Sequence, residues 1–596
     1  MICQTRVSRL LLVGALLLSA LSTGCGSQGI AADMVLLNGN VITVDANDRI
    51  AEAVAIRDGK VVAVGSSREV ERLIGPETQQ VDLGGRTVTP GLMDSHAHFA
   101  GSGADRLYVV DLSYPNVHSV HDVVTKVREQ VALLEPGEWV QGRGWDEGKF
   151  EELRYVYAAD LDSVAPNNPV WLAHTMGHYG AANSLALRMA GIDRNTRDPA
   201  GGTIDRDANG RPTGVLKESA QGMVSRMIPG YTDEQIKEGI RDLAFGFNQE
   251  CMTGVKDPGV SPRLWDAYQQ VQQDGDLNLR VFALWSGGRS IDATERVIDR
   301  IESFTKPYRS TGDDHLISGG VKLYLDGSGG ARTAWLYDEW NRDFEDIDRG
   351  NFGYPVVDAE MLREQVRMYH DAGIHVSVHA IGDRAIDWTV ESYWNALEAN
   401  PTHGLRHGII HANIPTDHAL DLIAEMQRNH DAAYPEPQAT FMWWIGDTYA
   451  GNFGPERALR LNPFRTYLDR GIRWGGGSDY PVTPFAARYG LWASVARETL
   501  LGVYGDRPYG MDESVDVRTS LRSFTVGAAY QMFLEEKLGT IEEGKFADLA
   551  VWDRDPYSVE TAALKDLECS MTIFNGSVVF EAAANSSTNV GGGARP

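Results

Sequence analysis

The chain has 596 residues, 43% hydrophobic and 23% charged, the balance of a soluble globular protein long enough for a barrel-sized core plus further modules. Its 82 acidic residues against 55 Lys and Arg leave a net charge of −27, which argues against nucleic acid or an anionic membrane face as a partner. No phosphate-cradling Walker loop and no zinc-ribbon pair of cysteines occurs, so a nucleotide-driven reaction has no support.

Arg6 and Arg9 precede the apolar run Leu10 to Leu21, and Ser22-Thr23-Gly24-Cys25 follows. The run is too short for an ordinary membrane span, so residues 1–24 are expected to be an export signal. Small residues directly before a cysteine resemble the lipobox of bacterial lipoproteins, although the leucine usual three places before the cysteine sits four before it, at Leu21. That resemblance implies a lipid on Cys25, a flexible tether over 25–32 and a protein anchored in a bacterial envelope, otherwise periplasmic or secreted. Cys3 goes with the export segment, and Cys251 and Cys569 make a poor case for a disulfide framework.

From Asp33 to Val88 short β-branched runs alternate with Asn38-Gly39-Asn40 and Asp58-Gly59-Lys60, which are hairpin turn signals. The same texture returns in Ala547 to Trp552 and Met571 to Phe580, so residues 33–88 and 535–582 are expected to form one composite β-sandwich. Between them, residues 89–534 read as a TIM (β/α)8 barrel with an insertion over about 101–231. After the opening strand at Val88 to Asp94, the candidate strands are Thr253–Pro258, Leu279–Leu284, Gly320–Leu325, Ile374–His379, Leu405–His411, Asp431–Pro435 and Ile472–Asp479. Helical stretches alternate with them, the pattern of a parallel sheet. The tail 583–596, with Asn585-Ser586-Ser587 and Gly591-Gly592-Gly593, is expected to be disordered.

A barrel places its chemistry at the C-terminal ends of its strands. In Asp94-Ser95-His96-Ala97-His98 a strand's period of two puts both histidines on one face, able to converge on a metal ion. His379, His411 and Asp479 end three further candidate strands, and Gly475 and Gly477 share the face of Asp479, leaving space for a metal and substrate. Lys322 stands in an otherwise apolar strand, where a free ammonium is costly and cannot ligate a cation. It is either an ion-paired structural lysine or a lysine carboxylated by carbon dioxide, whose two oxygens could bridge two metals.

The composite of Val88 to His98, Lys322, His379, His411 and Gly477-Ser478-Asp479 resembles the amidohydrolase superfamily. Gly142-Arg143-Gly144-Trp145-Asp146, Val321 to Ala334 and His379 to Asp383 are similar to its amidohydrolase 3 branch, which includes N-substituted formamide deformylase-like enzymes; Leu538 to Leu549 matches the superfamily's C-terminal strand entry. The resemblance implies two zinc ions, one on His96 and His98 and one on His379 and His411, bridged by carboxylated Lys322, with Asp479 as ligand of the first and catalytic proton acceptor for the bridging water. It implies hydrolysis of the C–N bond of a small amide, N-acyl or N-formyl compound by a metal-activated hydroxide. Lactones, carbamates and other esters are alternative substrates of the same hydroxide, and a ligand-binding lipoprotein without catalysis is an alternative of another class. His178 and Arg332 are candidates for holding the substrate, Arg332 equally for a structural clamp on its loop, and Trp145 is a candidate more typical of packing. His174, His375 and His407 read as supporting or ordinary residues. Barrel enzymes of this size often pair as homodimers.

Overall fold

The computed structural model describes residues 31–304, 309–310, 314–341, 349–502 and 508–583. The export segment, Cys3, Cys25 with most of its tether and the tail from residue 584 onward lie outside the described residues.

The centre is a curled sheet of parallel strands, β1 (Leu92–Asp94), β2 (Met252–Val260), β3 (Arg280–Ser286), β4 (Leu316–Tyr324), β5 (Val376–Ala380), β6 (Gly408–His411) and β7 (Tyr434–Glu436), each paired with the next in sequence order. They are buried almost throughout, as strands covered on both faces must be. The eighth predicted strand, 472–479, is extended but joins no regular ladder. Its backbone ties the two ends of the sheet together: Gly475 N–H donates to Pro435 (3.2 Å), Gly476 accepts from Ser95 N–H (2.9 Å) and Asp479 N–H donates to His96 (2.7 Å).

Helices lie between the strands, including α1 (Phe99–Tyr108) after β1, α2 (Asp233–Gln249) before β2, α3 (Pro262–Gln273), α4 (Ile291–Phe304), α5 (Ala359–Asp371), α6 (Asp383–Ala399) and α7 (Asp417–His430). Local sequence sets several of their starts. Thr232 and Gln235 form a reciprocal capping box on α2, and Ser261 caps α3 with Pro262 in its first turn, where proline loses no helical hydrogen bond. α1 and α2 cross without side chains between them at Gly103 and Gly239: a Cβ on Gly103 would stand 2.4 Å from the Gly239 carbonyl oxygen.

The segment between β1 and α2 carries a six-stranded sheet of its own, running Gly202–Arg206, Pro212–Glu218, Tyr179–Ala182, Val170–His174, Val140–Trp145, Val110–Asp111 in spatial order. Its core includes Leu112, Val140, Trp145, Leu172 and Val215. At the other pole a sheet mixes strands from both halves of the chain: Leu549–Trp552 pairs antiparallel with Thr87–Pro90 and with Cys569–Phe574. Met34, Leu36, Val54 and Ile56 of a neighbouring four-stranded sheet share an apolar cluster with Leu549, Val551 and Ile573.

One expectation is overturned here. Cys251 and Cys569 form a disulfide, with 5.4 Å between their Cα atoms across 318 residues of sequence. It joins the entrance of β2 to the C-terminal sheet. Two isolated cysteines give no spacing pattern, so only the folded contact reveals the pair.

Candidate metal centre

β1 ends at Asp94, so His96 and His98 are not on a strand face; they sit in the turn beyond it, and His98 is the residue before α1. Asp94 braces this turn. Its carboxylate accepts from Ser478 Oγ (2.6 Å), Ser478 N–H (3.0 Å) and His96 N–H (2.9 Å), while burial pushes it up to about 7. The glycines before Asp479 serve the same join. A Cβ on Gly477 would lie 2.9 Å from both Asp94 Oδ1 and His96 N, and one on Gly475 would lie 3.0 Å from Ser95 Cβ. The room they leave is filled by the β1 turn, which corrects the expectation that it holds metal and substrate.

The join delivers Asp479 Oδ1 to 3.2 Å from His96 Nε2 and 3.5 Å from His98 Nε2. Asp479 has a left-handed backbone, φ 57°, uncommon for a residue with a Cβ and concentrated at functional turns. Burial raises its carboxyl to about 7, opposed by Lys322 and His178. His96 is fully buried, and neither of its ring nitrogens has a hydrogen-bond partner.

β5 and β6 bring the second pair. His379 Nε2 lies 2.9 Å from the Gly327 carbonyl and His411 Nδ1 lies 2.7 Å from Gln438 Oε1. Gln438 is itself oriented, its Nε2 donating to the Glu436 carbonyl at 2.6 Å. Each imidazole thus places its N–H on a protein acceptor and turns its other nitrogen inward, so that His379 Nδ1 and His411 Nε2 face each other at 3.0 Å. Two lone pairs in that position suit a cation between or beside them. Asp326 stands next to His379 Nε2 at 3.6 Å and takes three backbone N–H bonds, from Trp335, Ile381 and Gly382, while burial lifts its carboxyl to about 7.

Lys322 projects from β4 into this space, buried, with no hydrogen-bond partner on Nζ; the Tyr324 ring is 4.4 Å away. Burial pulls its ammonium down to about 7, against the attraction of Asp479 and Glu436. Below it Lys256 of β2 donates to Glu436 of β7 at 2.7 Å and to Ser377 Oγ at 3.1 Å, an ion pair with no exposed surface.

The site opens into a cavity of about 420 Å³ walled by His98, His178, Tyr324, Asp326 and Asp479. His178 belongs to it: Nδ1 is 3.0 Å from Glu218 Oε2, and its ring lies 5.0 Å from that of His379. Glu218 also accepts from Thr333 Oγ1 at 2.5 Å and holds a strained backbone, φ 51° and ψ −126°. Arg332 and Trp145 do not line this cavity. Arg332 is wholly buried and donates to the Gly330 carbonyl and the Tyr155 hydroxyl; Trp145 is wholly buried in the insertion core, its Nε1–H on Leu172. Both are corrected to packing and loop-bracing residues. Sequence reasoning passed over Glu218, Asp326, Gln438 and Glu436. Asp326 alone carried a readable mark, as a polar residue just past an apolar strand.

Residues 79–580 match the amidohydrolase family. The chain belongs to that family. It is 32% identical over 540 residues to the YtcJ protein of Bacillus subtilis (strain 168), covering 89% of this chain and 96% of that one. It is 28% identical over 560 residues to N-substituted formamide deformylase of Arthrobacter pascens, covering 92% and 98%. Among solved structures, an uncharacterized metal-dependent hydrolase from Pyrococcus furiosus superposes with a TM-score of 0.66 at 25% identity, covering 88% of this chain and all of that one. The chain is therefore a metal-dependent hydrolase of the amidohydrolase 3 branch, the class that acts on carbon–nitrogen bonds, on a TIM-barrel-like α/β scaffold.

Proposed function

We propose that this protein is an exported hydrolase that cleaves the C–N bond of a small amide, N-acyl or N-formyl compound at a two-metal centre. The observation that carries the reading is the convergence of ligand-type atoms: both nitrogens of His96 and Lys322 Nζ, which have no hydrogen-bond partner, and the nitrogens of His379 and His411 that face each other, all buried with Asp479. Orphaned buried polar atoms are costly, and several aimed at one point fit a bound cation. His96, His98 and Asp479 would hold one zinc, His379 and His411 the other. Lys322, held near its neutral amine form, can add carbon dioxide at Nζ, losing one proton and gaining the carboxylate that would bridge the two.

When bound, the metals supply a water acidified toward neutral pH and a Lewis acid for the carbonyl. Asp479 takes a proton from the water and returns one to the departing nitrogen as the C–N bond breaks, leaving a carboxylic acid and an amine. His178, held by Glu218 in the cavity wall, can bind the substrate oxygen. Export is supported by the Cys251–Cys569 disulfide, a bond characteristic of oxidising compartments, together with the cysteine at position 25. Cys25→Ser is expected to release the protein from the membrane fraction.

The central test is a panel of N-formyl, N-acetyl and carbamate compounds assayed with protein whose metal content has been measured. Turnover of the amides, abolished by chelation and restored by zinc, supports the reading. A full metal complement with no turnover of any C–N substrate overturns it.

A further inference from the structure

The cavity's hydrogen-bonding capacity is one-sided. Its carboxylates are already engaged: Glu218 by His178 and Thr333, Asp326 by three backbone N–H groups, Asp479 beside His96 and His98. Two guanidinium groups in the same wall keep N–H donors to spare. Arg143, from the insertion, gives Nη1 to Asp105 at 2.9 Å, but its Nε is buried and has no partner. Arg289, on the loop after β3, is exposed at the cavity wall and makes no ion pair among the described residues. In a chain where 82 acidic residues face 55 basic ones, an arginine without a carboxylate stands out. The spare capacity beside the metal centre includes cationic N–H donors, which a planar anion satisfies best.

Resting on the function proposed above, we propose that the substrate is an amide carrying a carboxylate close to the scissile bond, recognised by Arg289 and Arg143. The local positive charge also offsets the long-range repulsion that a net charge of −27 imposes on an anionic substrate. Neutral amides would reach the centre without this anchor, so the effect falls on KM more than on kcat.

The test compares an N-acyl amino acid with its own carboxamide, identical around the scissile bond. For the natural protein kcat/KM should favour the acid by roughly ten- to a hundredfold, the worth of a hydrogen bond to a charged group. In Arg289→Gln, a surface change, that ratio should fall toward one through a rise in the acid's KM. Arg143→Lys, which keeps a charge beside Asp105, should lower it in part. Calorimetry on Asp479→Asn with the intact acid and the carboxamide gives the same comparison without turnover. Equal or better use of the carboxamide, or a ratio unmoved by Arg289→Gln, overturns the anionic-substrate proposal and leaves the amide hydrolase standing. Failure to hydrolyse or bind the acid while neutral amides of the panel turn over also overturns the anionic-substrate proposal alone; failure of the whole panel with metal bound overturns both.

Discussion

The candidate metal centre and a cluster in the insertion use the same residue types and reach opposite ends. Asp146, Glu147 and His174 place ligand-type atoms within 4.8 Å of one another, as His96, His98 and Asp479 do, and all three are buried. In the insertion every charge is answered from within. Lys149 Nζ lies 3.2 Å from Asp146 Oδ2, Gly148 N–H donates to Oδ1 at 2.9 Å, and Tyr179 gives its hydroxyl to Glu147 at 2.8 Å. His174 takes Met176 N–H on Nδ1 at 3.2 Å and turns Nε2 to Glu147 at 3.1 Å. Burial raises the Asp146 carboxyl, but Lys149 and His174 more than offset this and hold it below its usual range. Asp146 Oδ2 makes no hydrogen bond, but the Lys149 ammonium beside it already supplies the balancing cation. At the candidate metal centre neither ring nitrogen of His96 has a hydrogen-bond partner, and His379 and His411 have their outer nitrogens tied and their inner ones turned to each other. Residue type nominates a site; unsatisfied valence decides it.

The strongest challenge to this contrast is Asp479→Asn, expected to lower kcat by about 10²–10⁴ while the melting temperature holds within a few degrees. Activity near that of the natural protein would remove Asp479 from the chemistry. Lys149→Met should cost about 3–5 kcal/mol of unfolding free energy by leaving Asp146 buried without its counter-charge, and added zinc should restore part of it. No loss would mean that the lysine is not the cation balancing that cluster. Gln438→Leu removes the acceptor that fixes His411, and metal affinity measured by competition with a chelator should weaken about 10–100-fold. Glu147→Gln should cost about 1–3 kcal/mol in a denaturant titration and leave metal content per chain unchanged. A fall in metal content there would make the insertion cluster a second metal site.

Much of the barrel was readable from the chain. β2 to β7 overlap the predicted strands because βα alternation and buried β-branched runs are local properties. The prediction failed where local pattern and hydrogen bonding part company. Residues 472–479 look like a strand but spend their N–H and C=O groups on two different neighbours, and the insertion, whose rhythm reads as irregular, is a six-stranded sheet. The His96–His98 pair was found for a reason the structure replaces. Strand alternation ends before His96, and the pair converges because Ser478 and Asp94 pin the turn.

The sequence by itself determined the family and nominated the candidates: which histidines, which aspartate and a lysine in an apolar strand, in the order the family's motifs give them. It could do so because metal ligation demands particular side chains at strand ends. Tertiary structure alone decided which of those groups have spare valence. Gln438 and Gly327 orient two imidazoles from other segments, Glu218 reaches His178 from 40 residues away, and Cys251 meets Cys569 across 318. Hydrogen-bond saturation depends on partners distant in the chain, and so it becomes readable only once the chain has folded.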